Sequence, residues 1–223
     1  MAVLPAGLAL EEARAWCRGV LAGLQPQLLL AVERCGRGAD GRYRNMFGDD
    51  ISHVTEPLDL LFELRPHRGD NGDGDNGAQA GLQEFVTIGV GDGGNEVGMG
   101  NVDWALLLGG GGRKLHAMLP DHPCVVTTDH LAVGATSNWA AYGICAAMAA
   151  LSGRRELGVS EEQARRWLQG AVDAGAVDGV TKEAGALTVD GHAFAREQRL
   201  LAALNAMLDD GDAPAALRLP RGN

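Results

Sequence analysis

Apolar residues recur at helical spacing early in the chain. Leu10, Ala13, Trp16, Cys17, Val20, Leu21 and Leu24 alternate with Glu11, Glu12, Arg14 and Arg18, which predicts an amphipathic helix over residues 8–24. The rhythm then shortens. LLLAVE after Pro26 is a brief apolar run bounded by Pro and Gly, which suits a buried strand with Glu33 at its carboxyl end, either as a site acid or as a solvated neighbour of Arg34. A second such run, Val86, Thr87, Ile88 and Val90, stops in a loop holding Gly89, Gly91, Gly93, Gly94, Gly98 and Gly100 beside Asp92, Asn95 and Glu96. A third, PCVVTTDHLAVGA over residues 123–135, either ends at Thr128 or continues across Asp129 and His130 as a polar break.

Helical signals separate and follow these runs. Thr55 is a candidate N-cap, with Pro57 near the first helical position and Leu58, Leu61 and Phe62 on the buried face. VDWALLL, residues 102–108, predicts a helix ended by the polyglycine of residues 109–112. Ser137 or Asn138 caps WAAYGICAAMAAL, and Ser160-Glu161-Glu162-Gln163 is a capping box for a helix to about residue 173. A last amphipathic helix is expected over residues 194–208, with a frayed tail beyond 209. Residues 68–81 have no apolar side chain larger than alanine and read as a solvated loop.

Composition narrows the classes. With 223 residues and 46% hydrophobic positions the chain can bury one good core, so one domain over residues 1–208 is expected. A net charge of −10 disfavours nucleic acid and anionic membranes as partners and favours cationic ligands, metals included. Cys17, Cys35, Cys124 and Cys145 form no Cys-x-x-Cys pair and read as reduced thiols of a cytoplasmic protein. The start lacks a basic n-region and no run approaches a membrane span, so neither a signal peptide nor an anchor is expected.

Three familiar motifs fit poorly. Gly89-x-Gly91-x-x-Gly94 matches the dinucleotide template, but Asp92 inside it would repel a pyrophosphate, and no acid lies about 20 positions on for a ribose. No Gly-Lys-Ser/Thr follows the polyglycine, which excludes a P-loop. Asp73, Asp75 and Glu84 mimic a calcium loop, yet Ala78 occupies the position that needs glycine.

What remains is a set of acids at the ends of apolar runs: Glu33, Asp92 and Asp129. If the strands are parallel neighbours, the three carboxylates share the rim where open α/β sheets bind ligands. Their mutual repulsion calls for a counter-charge, and a hard divalent cation, Mg²⁺ or Mn²⁺, suits oxygen ligands. Glu96 and His130 are candidates for moving protons. Arg37, Arg42 and Arg44 in a glycine-rich stretch could clamp a carboxylate or phosphate, or could simply balance surface acids. Asn138 is either a plain cap or a cap whose amide reaches a ligand.

The words IGVGDGGNEVGMGN (88–101) and TTDHLAVGATSNWAAYG (127–143), with AVERCGRGADGRYRNMFG (31–48) before them and VDGVT (177–181) after, resemble the D-glutamate cyclase C-terminal-like family. The resemblance implies an α/β domain, here expected as a mostly parallel sheet flanked by helices. It also implies dehydration of D-glutamate to 5-oxo-D-proline, with Asp92, Glu96 and His130 as catalytic candidates. Glu33, Asp92 and Asp129 would hold the metal, and Arg37, Arg42, Gly93, Gly94, Asn95 and Asn138 would receive the substrate. Asp178 becomes a further candidate, against the plain reading of its Asp-Gly pair as turn chemistry. The family usually carries a further strand and an acidic loop upstream of the part matched, so the chain is expected to be shortened at that end. A homo-oligomer or a partner protein would then complete the site. Two other functions fit the same residues: a metal-dependent hydrolase of small phosphate esters, and a non-catalytic ligand-binding or partner domain.

Overall fold

The computed structural model describes residues 4–65, 82–104 and 122–209. The polyglycine, the solvated loop from residue 68 to 81 and the tail past residue 209 lie outside them, as does the predicted helix beyond Trp104. Residues Met1–Ser137 and Asn138–Asn223 form two compact units.

In the first unit, helix α1 spans Leu10–Leu24, and its helical stripe buries Ala13, Cys17 and Leu21. Glu12 reaches back to the Ala9 N–H at 3.0 Å, which satisfies one of the donors that a helix start leaves without a partner. Helix α2 is a single turn, Leu60–Glu63, later than the Thr55 cap predicts. Strands β1 (Leu28–Val32), β2 (Val86–Gly91) and β3 (His130–Val133) form a parallel sheet in the order β1-β2-β3. Leu28 lies beside Val86 and Ile88 beside His130, which fixes the register across all three strands. Leu29 and Phe85 pack with Leu21, Leu60 and Leu64, so α1 and α2 cover one face of the sheet. The α/β class and the parallel sheet with flanking helices are as the sequence predicts.

The strand β3 departs from expectation in a way that matters. It begins after Asp129 instead of ending before it. Cys124 and Val126, the β-rich residues upstream, are used to pack the glycine loop: the Cys124 N–H donates to the Gly94 carbonyl at 2.9 Å and the Gly98 N–H to Val126 at 2.9 Å. Val97, Met99, Cys124 and Val126 bury together with Ala31 and Phe62.

The second unit is helical. Helix α3, Ser137–Ser152, starts at the unit boundary; α4 is Glu161–Asp173 and α5 is Phe194–Asp209. The Ser160 hydroxyl accepts the Gln163 N–H at 3.1 Å, as the capping box predicts. Ala164, Phe194 and Leu201 form its core, with Tyr142, Leu168 and Leu187 against them. A two-stranded hairpin, β4 (Thr188–Val189) with β5 (His192–Ala193), precedes α5. Among the described residues, no helix is long and apolar enough to cross a membrane.

Candidate functional site

The site is built where β1 and β2 end side by side. β1 stops because Glu33 takes a left-handed backbone, φ +53°, while its N–H still donates to the Val90 carbonyl at 3.0 Å. From there the chain runs antiparallel to the end of the glycine loop. The Gly36 N–H donates to Asn95 at 2.9 Å, the Val97 N–H donates to Arg34 at 2.8 Å, and Cys35 bridges Glu96. This pairing carries Glu96 back beneath the loop it has just left.

Glycine is a requirement at Gly89. A Cβ there would stand 2.8 Å from the Gly98 Cα and closer still to the Val97 carbonyl oxygen, both backbone atoms that cannot swing aside. Gly98 itself holds φ +102°. These two residues let the returning chain lie directly on the strand.

Glu96 is 1% exposed, and each carboxylate oxygen accepts one backbone N–H, Gly93 and Gly94, at 2.8 Å apiece. An anion in a nest of amides is held in a fixed orientation. Asp92 is placed from the other side: its Oδ2 accepts the N–H of Ser137, the last residue of the same unit, at 2.8 Å. One oxygen from each of Glu33, Asp92 and Glu96 lies within 4.8 Å of the others.

Other residues singled out in the sequence fall elsewhere. Asp129 is corrected first: its Oδ2 accepts the Thr87 N–H and hydroxyl, each at 2.8 Å, and its Oδ1 faces Arg65 at 3.1 Å. Thr87 lies near the start of β2 and Asp92 just past its end, five positions on and about 16 Å away at the usual rise per residue, so Asp129 sits at the opposite end of the sheet from Asp92. Burial alone would raise its pKa, but the Thr87 hydrogen bonds and the Arg65 charge hold its carboxyl below the usual range. His130 opens β3 at that same far end and is exposed. The rim therefore gathers Glu33 and Asp92 but takes Glu96, not Asp129, as its third acid.

The arginines are committed to neighbours. Arg37 donates to the fully buried Asp59 at 2.8 Å and pairs with Glu63, while the Tyr43 hydroxyl donates to Asp59 at 2.5 Å. Arg44 binds Asp40 through both guanidinium nitrogens, at 2.9 and 2.6 Å. Arg42 is exposed, 3.3 Å from Asp50. The Asn95 amide donates to the Arg44 carbonyl at 2.9 Å, which fastens the loop of residues 36–50 to the glycine loop. Gly93 and Gly94 act through their N–H groups on Glu96.

In the second unit, Asn138 hydrogen-bonds the Tyr142 hydroxyl, which donates to the buried Glu197 at 2.5 Å. Asp178 accepts the N–H groups of Val180 at 2.7 Å and Gly191 at 3.0 Å, tying the two Val-Asp-Gly words together. Burial opposes the effect of these hydrogen bonds, yet they bring its carboxyl down to about 2. Asp178 is thus a turn anchor.

A sequence model of the D-glutamate cyclase-like, C-terminal family matches residues 8–205. The chain belongs to this family. It is also similar to the human protein "D-glutamate cyclase, mitochondrial", 34% identical over 121 residues, which is 54% of this chain and 16% of that protein. The chain therefore spans well under a quarter of the length of this relative. The acids that converge come from two of the words that carry the resemblance: Glu33 from AVERCGRGADGRYRNMFG, and Asp92 and Glu96 from IGVGDGGNEVGMGN.

The residue that sequence reasoning passed over is Ser137. It reads as an N-cap, but in the structure it is the first residue of α3, 1% exposed, with its hydroxyl oxygen lacking any hydrogen-bond partner. The only signal in the sequence was its place in the word TTDHLAVGATSNWAAYG.

Proposed function

We propose that this protein is a hydro-lyase that dehydrates D-glutamate to 5-oxo-D-proline, using the carboxylates gathered at the carboxyl rim of its parallel sheet. The observation that carries the proposal is the convergence of Glu33, Asp92 and Glu96 in a chain of the D-glutamate cyclase-like family. In the reaction the substrate amine, once deprotonated, attacks its own γ-carboxyl carbon. A C–N bond forms, a C–O bond breaks and the departing oxygen leaves as water.

Acid/base help is needed at both ends of that step, and the tetrahedral oxyanion between them needs a positive partner. Glu96, clamped by two amides, is the fixed carboxylate of the site. Asp92, oriented by the Ser137 N–H, and Glu33, exposed at the strand end, are the groups placed to take the ammonium proton and return it to the leaving oxygen. Arg37 is engaged by Asp59 and Glu63, which weighs against its serving as the α-carboxylate anchor or as a phosphate clamp.

The test is incubation with D- and L-glutamate separately, followed by chiral chromatography of the product. We expect 5-oxo-D-proline from the D-enantiomer, and loss of at least about 100-fold in kcat on Asp92→Asn, the size expected for a lost acid/base group. Absence of product above the uncatalysed rate, or full turnover in Asp92→Asn, refutes the reading.

A further inference from the structure

The outer edge of the parallel sheet is the starting point. Among the described residues β1 pairs only with β2, so one side of Leu28–Val32 carries no neighbouring strand. The ladder fixes which backbone groups face outward. Gln27 accepts the Val86 N–H at 3.0 Å and the Glu33 N–H donates to Val90 at 3.0 Å, so alternate residues from Gln27 to Glu33 turn their N–H and C=O groups toward β2. Those of Leu28, Leu30 and Val32 therefore point away from the sheet. The same three residues share one face and are 49%, 48% and 41% exposed. Parallel strands are normally covered on both faces, and open edges are normally guarded by a charge, a proline or a bulge. LLLAV pairs in unbroken register and has none of these guards.

We propose that β1 is a dimerisation edge, at which a second copy of this chain adds its own β1 antiparallel and the two sheets become one. A two-fold axis perpendicular to the sheet at Leu30 sets Leu30 against Leu30, Leu28 against Val32 and Glu33 against Gln27 of the second copy. The outward N–H and C=O groups of Leu28, Leu30 and Val32 then meet in hydrogen-bonded pairs, and the assembly closes after two copies. The edge is complementary to itself. Each apolar side chain meets an apolar one, and Glu33 falls opposite an amide instead of a like charge. Arg34 falls opposite Pro26, which has no N–H to leave unpaired. On a chain of net charge −10, this uncharged strand is a place where two copies can meet without opposing carboxylates. The proposal goes beyond the cyclase reading and does not depend on it.

The test is sedimentation velocity of the purified chain from about 1 to 500 μM, because an interface as narrow as one strand pair gives reversible association. We expect a monomer–dimer equilibrium that shifts with concentration. Hydrogen exchange at the Leu28, Leu30 and Val32 amides should slow as the dimer fills, while the Leu29 and Ala31 amides, already turned toward β2, keep the same protection throughout. Leu30→Pro removes an outward donor without touching the β1–β2 ladder, and Leu30→Lys sets a charge against itself across the two-fold axis. Each should weaken dimerisation at least about ten-fold, the factor expected for two hydrogen bonds lost per dimer, with circular dichroism checking the fold. Leu24→Lys, at the 71% exposed end of α1, should leave it unchanged. A monomer at every concentration, a dimer whose outward amides exchange as fast as the monomer's, or equal dimerisation in Leu30→Pro and wild type overturns the proposal. So does a monomer that takes up a strand of a different protein at this edge.

Discussion

Replacing Glu96 by alanine removes the acceptor for two amides at once. The Gly94 N–H is buried and becomes unpaired, while the Gly93 N–H is partly reachable by water. A hydrogen bond to a charged group contributes about 1.5–3 kcal/mol when desolvated and less where water can substitute. The sum is a loss of about 3 kcal/mol, a large share of the 5–15 kcal/mol by which a domain is stable. Glu96→Gln keeps one acceptor and turns an NH₂ donor toward the other amide, so it should cost about as much at one hydrogen bond as alanine does. Denaturant unfolding followed by circular dichroism gives the global value. Hydrogen exchange at the Gly93 and Gly94 amides gives the local one, and both should lose protection. A loss under about 1 kcal/mol in Glu96→Ala, or unchanged exchange at those amides, would mean that the carboxylate does not organise the loop.

Three further outcomes follow from the same coordinates. Gly89→Ala forces a methyl group onto the backbone of Val97 and Gly98 and should destabilise by at least about 3 kcal/mol, whereas Gly23→Ala, in open space on α1, should stabilise by about 0.5–1 kcal/mol; equal effects in thermal melts would refute the packing argument. Burial pushes the Cys17 thiol up to about 11 and that of Cys124 up to about 12, so neither should be alkylated by iodoacetamide at pH 8 until denaturant is added, as peptide mass spectrometry can check. Asp129 has a depressed folded-state value, so its carboxylate stabilises fully above the ordinary aspartate range near pH ~4 and loses that contribution as pH falls through the lower folded value. The stability gap between wild type and Asp129→Asn should thus close below that pH; a gap that widens on acidification contradicts the assignment.

The sequence made the strand ends legible where a single apolar run meets a single acid. LLLAVE and FVTIGVGD each have one break, so Glu33 and Asp92 could be placed at the rim by pattern alone. PCVVTTDHLAV has two β-rich stretches around its polar pair, and periodicity cannot say which one joins the sheet. The answer came from packing: Val126 accepts the Gly98 amide and Cys124 donates to Gly94, so the first stretch is spent on the glycine loop and the strand starts late. Helix ends with capping chemistry, such as Ser160, were readable for the same local reason that Ser137 was misread. The role of Ser137 depends on a carboxylate 45 positions away, a tertiary contact that no short window contains.

The left-handed backbone at Glu33 has a consequence for anyone reshaping this chain. A non-glycine residue at φ +53° carries a cost of roughly 1–3 kcal/mol that glycine would not bear. A library screened for heat resistance alone would therefore drift toward glycine at that strand end. It would return tougher proteins stripped of an acid from the rim.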